Sequence, residues 1–109
     1  MRKKIDSYLG FAKKSGNLVS GANTCTVTAT RGRVKLLIIA EDIAENSREK
    51  MIKLAQSKNI PYVIYGLSDE LSRITGTSGR SVFGITDRNF AQTIATVIEA
   101  EKLTEKEVF

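Results

Sequence analysis

Ile5, Tyr8, Leu9 and Ala12 recur at i, i+3, i+4 and i+7, which predicts an amphipathic helix over residues 3–15. Lys13 and Lys14 fall in its last turn, where cations suit the helix dipole, and Gly16 follows as a stop. Leu18–Ser20 reads as a short extended piece. "KLLIIA", residues 35–40, is apolar and partly β-branched, the pattern of a buried strand. Asn46, with Glu49 three residues on, is expected to cap a helix over about 47–58 whose apolar side is Met51, Ile52, Leu54 and Ala55. Pro61 opens "PYVIYG", a second buried strand. Ser68 is expected to cap a short helix with Asp69 and Glu70 in its first turn and Gly76 at its end. "SVFGIT", 81–86, is a third strand. Asp87 then caps a last helix with the stripe Phe90, Ile94, Val97 and Ile98. The charged segment from about residue 99, "EAEKLTEKEVF", is expected to fray.

Strands alternating with helices imply βαβ crossovers and a mainly parallel sheet covered on both faces. The fold class that follows is α/β: a three-layer α/β/α sandwich around a central mixed sheet of about four strands. A length of 109 residues without repeats, low-complexity runs or a linker fits one domain over 1–109, with the charged tail at its end.

One stretch resists this reading. "SGANTCTVTATRGRVK", residues 20–35, alternates as a strand, with Thr24, Thr26, Thr28 and Thr30 on one side. At a period of 3.6 it is a helix with Ala22, Cys25 and Ala29 on one face. Four threonines oppose helix by about 2–3 kcal/mol relative to alanine, less than burying one helix face returns. Asn23 or Ser20 can cap the start, and Arg31 with Gly32 makes a stop signal. A hairpin turning on Gly32 is the rival. From the residues alone both stay open, with the local signals leaning to helix.

Composition narrows the chemistry. Apolar residues make up 41% of the chain, enough for a core. No window approaches a membrane span, and "MRKKID" leads into an amphipathic helix rather than a signal h-region. The single cysteine, Cys25, fits a reducing cytoplasm. The chain has no histidine, which removes the commonest bases and zinc ligands. No catalytic set, metal site or cofactor motif is read from the rest. Charge is uneven. Residues 1–40 hold eight Lys or Arg against Asp6 alone, a net +7, and the remaining 69 hold nine against eleven acids, a net −2. The expectation is a positive face built by the first third of the chain and a polyanionic partner, rather than a basic surface kept for solubility.

The runs "LVSGANTCTVTATRGRVKLLIIAEDIAENS" and "NIPYVIYGLSDELSRITGTSGRSVFGIT" resemble the kink-turn-binding ribosomal proteins of the L7Ae/L30e superfamily, and among them the small bacterial YlxQ-like members. The resemblance spans about residues 3–98. It rests on Gly21-x-Asn23, the "RGRVKLLIIAED" join, "IPY", and "ELSRITG" leading into a Gly/Ser/Arg loop. It implies that 22–31 is a helix whose N-terminus enters the widened groove of a sharply bent RNA. Open N–H groups there suit phosphate, and an asparagine can donate to and accept from a guanine edge. Asn23 takes that position; its plain alternative is an N-cap.

The resemblance also implies a recognition set of Gly21, Asn23, Thr24, Val27, Arg31 and Arg33, completed by Thr77, Ser78, Gly79 and Arg80 of "GTSGRS". That loop would cover an extruded nucleotide, with backbone N–H groups and Arg80 as the contacts; its bland alternative is a glycine-containing helix stop. The chain departs from the family's Gly-x-Asn-Glu-x-x-Lys. Thr24 stands at the glutamate and Val27 at the lysine, and Val27 reads as a partly buried helix residue. Without those two side chains, recognition would weaken by about 1–3 kcal/mol for each base they would have read, with Arg31, Arg33 and Lys35 left to grip the backbone. The acids Glu41, Asp42 and Glu45 read as solvated rather than as a metal or acid–base set. The expected function is non-enzymatic binding of kink-turn-like RNA in or near the ribosome, by a bacterial, cytoplasmic monomer that needs no cofactor and touches no membrane. A protein-binding scaffold on the same fold is the alternative.

Overall fold

The computed structural model describes residues 2–107, with side-chain surroundings over 4–103. In chain order it holds α1 (Arg2–Lys14), β1 (Leu18–Ser20), α2 (Ala22–Thr30), β2 (Leu36–Ile39), α3 (Glu45–Ser57), β3 (Tyr62–Ile64), α4 (Ser68–Ile74), β4 (Val82–Ile85) and α5 (Arg88–Glu107). The four strands form one mixed sheet in the order β1-β4-β2-β3. Helices α2 and α3 cover one face, and α1, α4 and α5 the other. Strand β2 divides its side chains by the period of two. Leu36 and Ile38 face the three-helix layer, and Leu37 and Ile39 face the two-helix layer. All four are essentially inaccessible, and each is worth about 1.5–3 kcal/mol of burial.

The mainly parallel sheet expected from the alternation is corrected: only β2 and β3 pair parallel, and β4 is antiparallel to both β1 and β2. Helix α3, with 13 residues, carries the chain back across the sheet and gives the one parallel pair. Helix α4 has only seven. It leaves the chain at the end of the sheet where β3 finished, so β4 enters running the other way. The consequence is two poles. Strands β1, β2 and β3 all point to one end, where α2 and α3 begin and α4 lies. At the other end α1, α2 and α3 finish and α5 starts.

Residues 22–30 are helix, not hairpin. Thr26, Thr28 and Thr30 turn their hydroxyls back onto the carbonyls of Ala22, Thr24 and Thr26, at 2.7, 2.7 and 2.8 Å, so each satisfies itself within the helix. The buried face is small: Cys25 and Ala29. Gly84 of β4 lies beneath it, and a Cβ there would come within 3.1 Å of Val19, 3.3 Å of Val34 and 3.5 Å of the Cys25 sulfur. Glycine in the strand is what lets so thin a helix settle on the sheet. Arg31 and Gly32 end it as expected. Gly32 has φ 76, its N–H reaches Ala29 O, and Arg33 N–H reaches Thr28 O, a Schellman turn.

Other expectations at helix ends divide. Asp87 caps α5, accepting from Phe90 N at 2.9 Å. Asn46 does not cap α3, which starts at Glu45 after Ala44, without a side-chain cap. Ser68 does not cap α4 either; it is the first helical residue. The cap comes through space instead. Asp42 accepts from Ser68 N at 2.9 Å and from Ser68 Oγ at 2.7 Å. The segment from 99, expected to fray, continues α5 to Glu107, with Glu101 buried. Helix α1 packs on α5, so a partner for that last helix exists which its charge pattern did not announce.

Candidate nucleic-acid interface

At the amino pole of α2 three backbone N–H groups are open. The helix's first internal bond runs from Cys25 N to Gly21 O, and no side chain caps the turn before it. Gly21 itself has φ 96 and ψ 145, a conformation close to glycine-only backbone. Its N–H pins it to Val82 O at 2.8 Å. Asn23 is therefore the second residue of the helix and not its cap, which corrects the plain alternative. It is exposed, and its side chain has no hydrogen-bond partner among the described residues. Thr24, beside it, is exposed with a hydroxyl that is not folded back like those of the later threonines. Val27 is 51% exposed, so the partly buried position expected for it is corrected. It lies one turn further along α2 and offers a ligand only an apolar surface.

The α4–β4 loop does reach this pole. A Cβ on Gly21 would sit 3.0 Å from Nη1 of Arg80, so the guanidinium lies across the glycine. Ser72, buried in α4, holds the Arg80 backbone from both sides: its hydroxyl donates to Arg80 O at 3.0 Å and accepts from Arg80 N at 2.9 Å. Ser81 shares a 2.7 Å bond with Ser68, which Asp42 holds in turn. Part of the expected N–H nest is used internally: Gly76 N reaches Arg73 O, Thr77 N reaches Ser72 O, and Arg80 N goes to Ser72. Thr77 is thus a structural residue, its hydroxyl turned to Thr75 and Ser72. Gly21, Ala22, Ile43, Ser47 and Arg80 line a cleft of about 280 Å³.

Arg31 and Arg33 are not part of this arrangement. Eight residues separate Asn23 from Arg31, so about 12 Å of helix lies between them. The N-terminal surplus of charge is also dispersed, because α1 lies on the opposite face of the sheet from α2. Lys13, Lys14, Arg31, Arg33 and Lys35 all stand toward the carboxy pole of α2, where the Thr86 N–H meets Asn17 O and the Lys35 N–H meets Ile85 O. The amino pole holds the acids. Glu41 accepts from Gly66 N at 3.3 Å, and Asp42 caps α4. The Ser68 hydroxyl, and then its N–H, hold the Asp42 carboxyl below its ordinary range. These acids brace the loop that positions Arg80. Among the described residues no group of His, Cys, Asp or Glu is placed to hold a metal, and no helix is long and apolar enough to cross a membrane.

Sequence reasoning missed the residues that position the loop, Ser72 and Asp42, because their partners lie 8 and 26 residues away. It also missed Lys50 and Lys53. They project from α3 into a groove shared with Asn23 and Thr26, and their only sequence signal was their place on the polar face of α3. Burial pushes the Cys25 thiol up to about 12, so it stays protonated and is a packing group.

Known proteins share this architecture. A protein of unknown function from Bacillus halodurans C superposes with a TM-score of 0.84 at 28% identity, over 88% of this chain and 97% of the other. The Giardia lamblia 15.5kD RNA binding protein superposes at 0.72, with 24% identity, over 88% and 84%. In sequence, the chain is 26% identical over 98 residues to the RNA-binding protein YlxQ of Enterococcus faecium, covering 90% of this chain and 94% of that one. It is 26% identical over 91 residues to YlxQ of Bacillus subtilis (strain 168), covering 84% and 91%. Residues 3–95 match the ribosomal protein L7Ae/L30e/S12e/Gadd45 family. With most of its length matched and the three-layer fold shared, the chain belongs to that family.

Proposed function

We propose that the protein is a non-enzymatic binder of structured RNA and that it engages a sharply bent, kink-turn-like element with the amino pole of α2, in ribosomal or ribosome-associated RNA. The observation that carries this is the pairing of an unpartnered, exposed Asn23 with an Arg80 guanidinium laid over Gly21. The pole supplies three things a bent backbone requires. Open N–H groups and the positive helix end receive a phosphate. Asn23 and Thr24 offer donors and acceptors to base edges in a widened groove. Arg80 closes the far side of the cleft as a planar cation that can pair with phosphate or stack on an extruded base. YlxQ of Enterococcus faecium and of Bacillus subtilis carries the name RNA-binding protein, which agrees with this reading.

With Thr24 and Val27 in the places of the family's acid and cation, α2 has no charged side chain of its own. Recognition then falls on Asn23, on the backbone and on groups from neighbouring elements. An exposed Val27 also favours a second reading, a protein-binding scaffold that keeps the fold without bend selectivity. Titration of the full chain against a kink-turn RNA and its straightened duplex, at two salt concentrations, separates the two. Bend-selective binding that weakens with salt and vanishes in Asn23→Ala supports the RNA reading. Equal affinity for both RNAs, unchanged by Asn23→Ala, transfers the case to the scaffold.

A further inference from the structure

A roomy cleft lies at the opposite pole from Asn23. It measures about 640 Å³ and is formed where α2 and α3 end, β2 begins and α5 starts. Its floor is apolar, with Val34, Leu36, Ile60 and Ala91 among the lining residues, and its rim carries Lys35, Lys58 and Arg88. No carboxylate of the described residues lines it. The size and the mixture of apolar floor and few polar groups are those of a ligand site.

The cations are not all explained by the fold. Three helices end at this pole, and a cation near a helix C-terminus offsets the dipole there. That accounts for Lys58, the residue after α3, for Arg31 after α2, and for Lys35, whose ammonium donates to Gly32 O at 3.3 Å in the turn that ends α2. Arg88 is in the wrong place altogether, in the first turn of α5, whose positive end repels it and which carries no acid. Asp87, the nearest carboxylate in the chain, is turned to the Phe90 N–H. The Arg31 and Arg33 side chains stand exposed on the Schellman turn beside the cleft. Like charge is thus gathered from three separate elements around one apolar hollow.

We propose that this cleft is a second RNA site, taking an unpaired nucleotide segment with its base against the apolar floor and its phosphates on Lys35, Lys58 and Arg88. An apolar floor suits the face of an unstacked base, which a duplex backbone would leave empty. The site goes beyond the bent-RNA reading and does not depend on Asn23, so either can fail without the other.

The test uses the full chain labelled with nitrogen-15 and a short oligouridylate, which cannot form a bent duplex. Amide shifts are expected at Lys35, Lys58 to Ile60 and Arg88 to Gln92, with those at Ala22 to Thr24 little changed. The double variant Lys58→Gln/Arg88→Gln should lower the slope of log affinity against log salt by about 1 to 1.5, at roughly 0.7 per cation removed for a single strand. Its thermal midpoint, read alongside, separates damage to the site from damage to the fold. Shifts confined to the amino pole, or an unchanged slope in a folded variant, overturn the proposal. A polyglutamate of matched charge is the second probe. It should bind at least tenfold more weakly than the oligouridylate, because it has no base for the floor. Equal or tighter binding of the peptide overturns the RNA assignment, reading respectively as plain charge attraction or as a site for an acidic protein segment.

Discussion

The two ends of α2 are built on opposite plans. At the amino pole the backbone is exposed and the side chains are few and fixed: Gly21 pinned to β4, Arg80 clamped by Ser72, Asn23 free to meet a ligand. At the carboxy pole the backbone is closed by a Schellman turn, and Arg31, Arg33, Lys35, Lys58 and Arg88 crowd around the end. The first plan suits recognition of shape and base edges, because donors and acceptors are held in place before the ligand arrives. The second suits charge, which acts at a distance and tolerates motion. A nine-residue helix holds both because its middle is seated on the sheet, with Cys25 and Ala29 buried and Cys25 lying over Gly84.

That packing is where the comparison is most easily broken. Gly84→Val should press on Val19, Val34 and Cys25 together, lifting α2 and disturbing both poles. The expected destabilisation is about 1–3 kcal/mol, read by chemical denaturation; a variant as stable as the parent shows that the helix does not rest on Gly84. Asn23→Ala should damage the amino pole alone. Removing its hydrogen bonds to a base, at about 1–3 kcal/mol, lowers affinity for a bent RNA roughly 5- to 150-fold. The thermal midpoint and the affinity for straight duplex should not move, and an equal drop on both RNAs would erase the distinction between the poles.

The middle of α2 has its own signature in pH. Cys25 titrates ordinarily near 9.0 and in the fold at about 12, so the folded state keeps a proton that the unfolded chain releases. The contribution is fully present below pH 9.0 and is lost as pH climbs toward 12, at up to about 1.4 kcal/mol per pH unit. Cys25→Ala should remove that part of the alkaline slope while leaving stability at neutral pH only modestly lower. The smallest effect belongs to the carboxy pole. Arg31→Gln with Arg33→Gln should weaken binding to every RNA about equally and lower the salt slope by roughly 1 for each charge. A decrease specific to bent RNA would place these arginines in the shape-reading set instead.

Much of the fold is legible in the residues. Helices α1 and α5 follow from their apolar stripes, the strands from β-branched runs, and three helix ends from Gly16, Gly32 and Gly76. Strand direction is not legible, because it depends on whether α4 is long enough to cross the sheet. One expected cap fails for a related reason: Asp42 does from 26 residues away what Ser68 was expected to do locally.

The site divides in the same way. Gly21, Asn23 and Arg80 were marked through the family resemblance, and the fold lays Arg80 over Gly21 at the helix start that carries Asn23. Arg31 and Arg33 were placed in the same set, and a rigid helix keeps them apart from it. Summing charge over the first 40 residues gave the right sign and the wrong place.

The order of amino acids settled what each segment is, since periodicity, capping chemistry and glycine positions act over a few residues. It also settled which chemistry is available: no imidazole, a surplus of cations, an asparagine two residues after a glycine at a helix start. Only the packed molecule decided which of these groups meet. Arg80 reaches Gly21, and Lys58 shares a cleft with Arg88, across gaps of 59 and 30 positions in the chain. Such distances close only when a sheet order is fixed and a glycine in β4 lets a slender helix lie flat upon it.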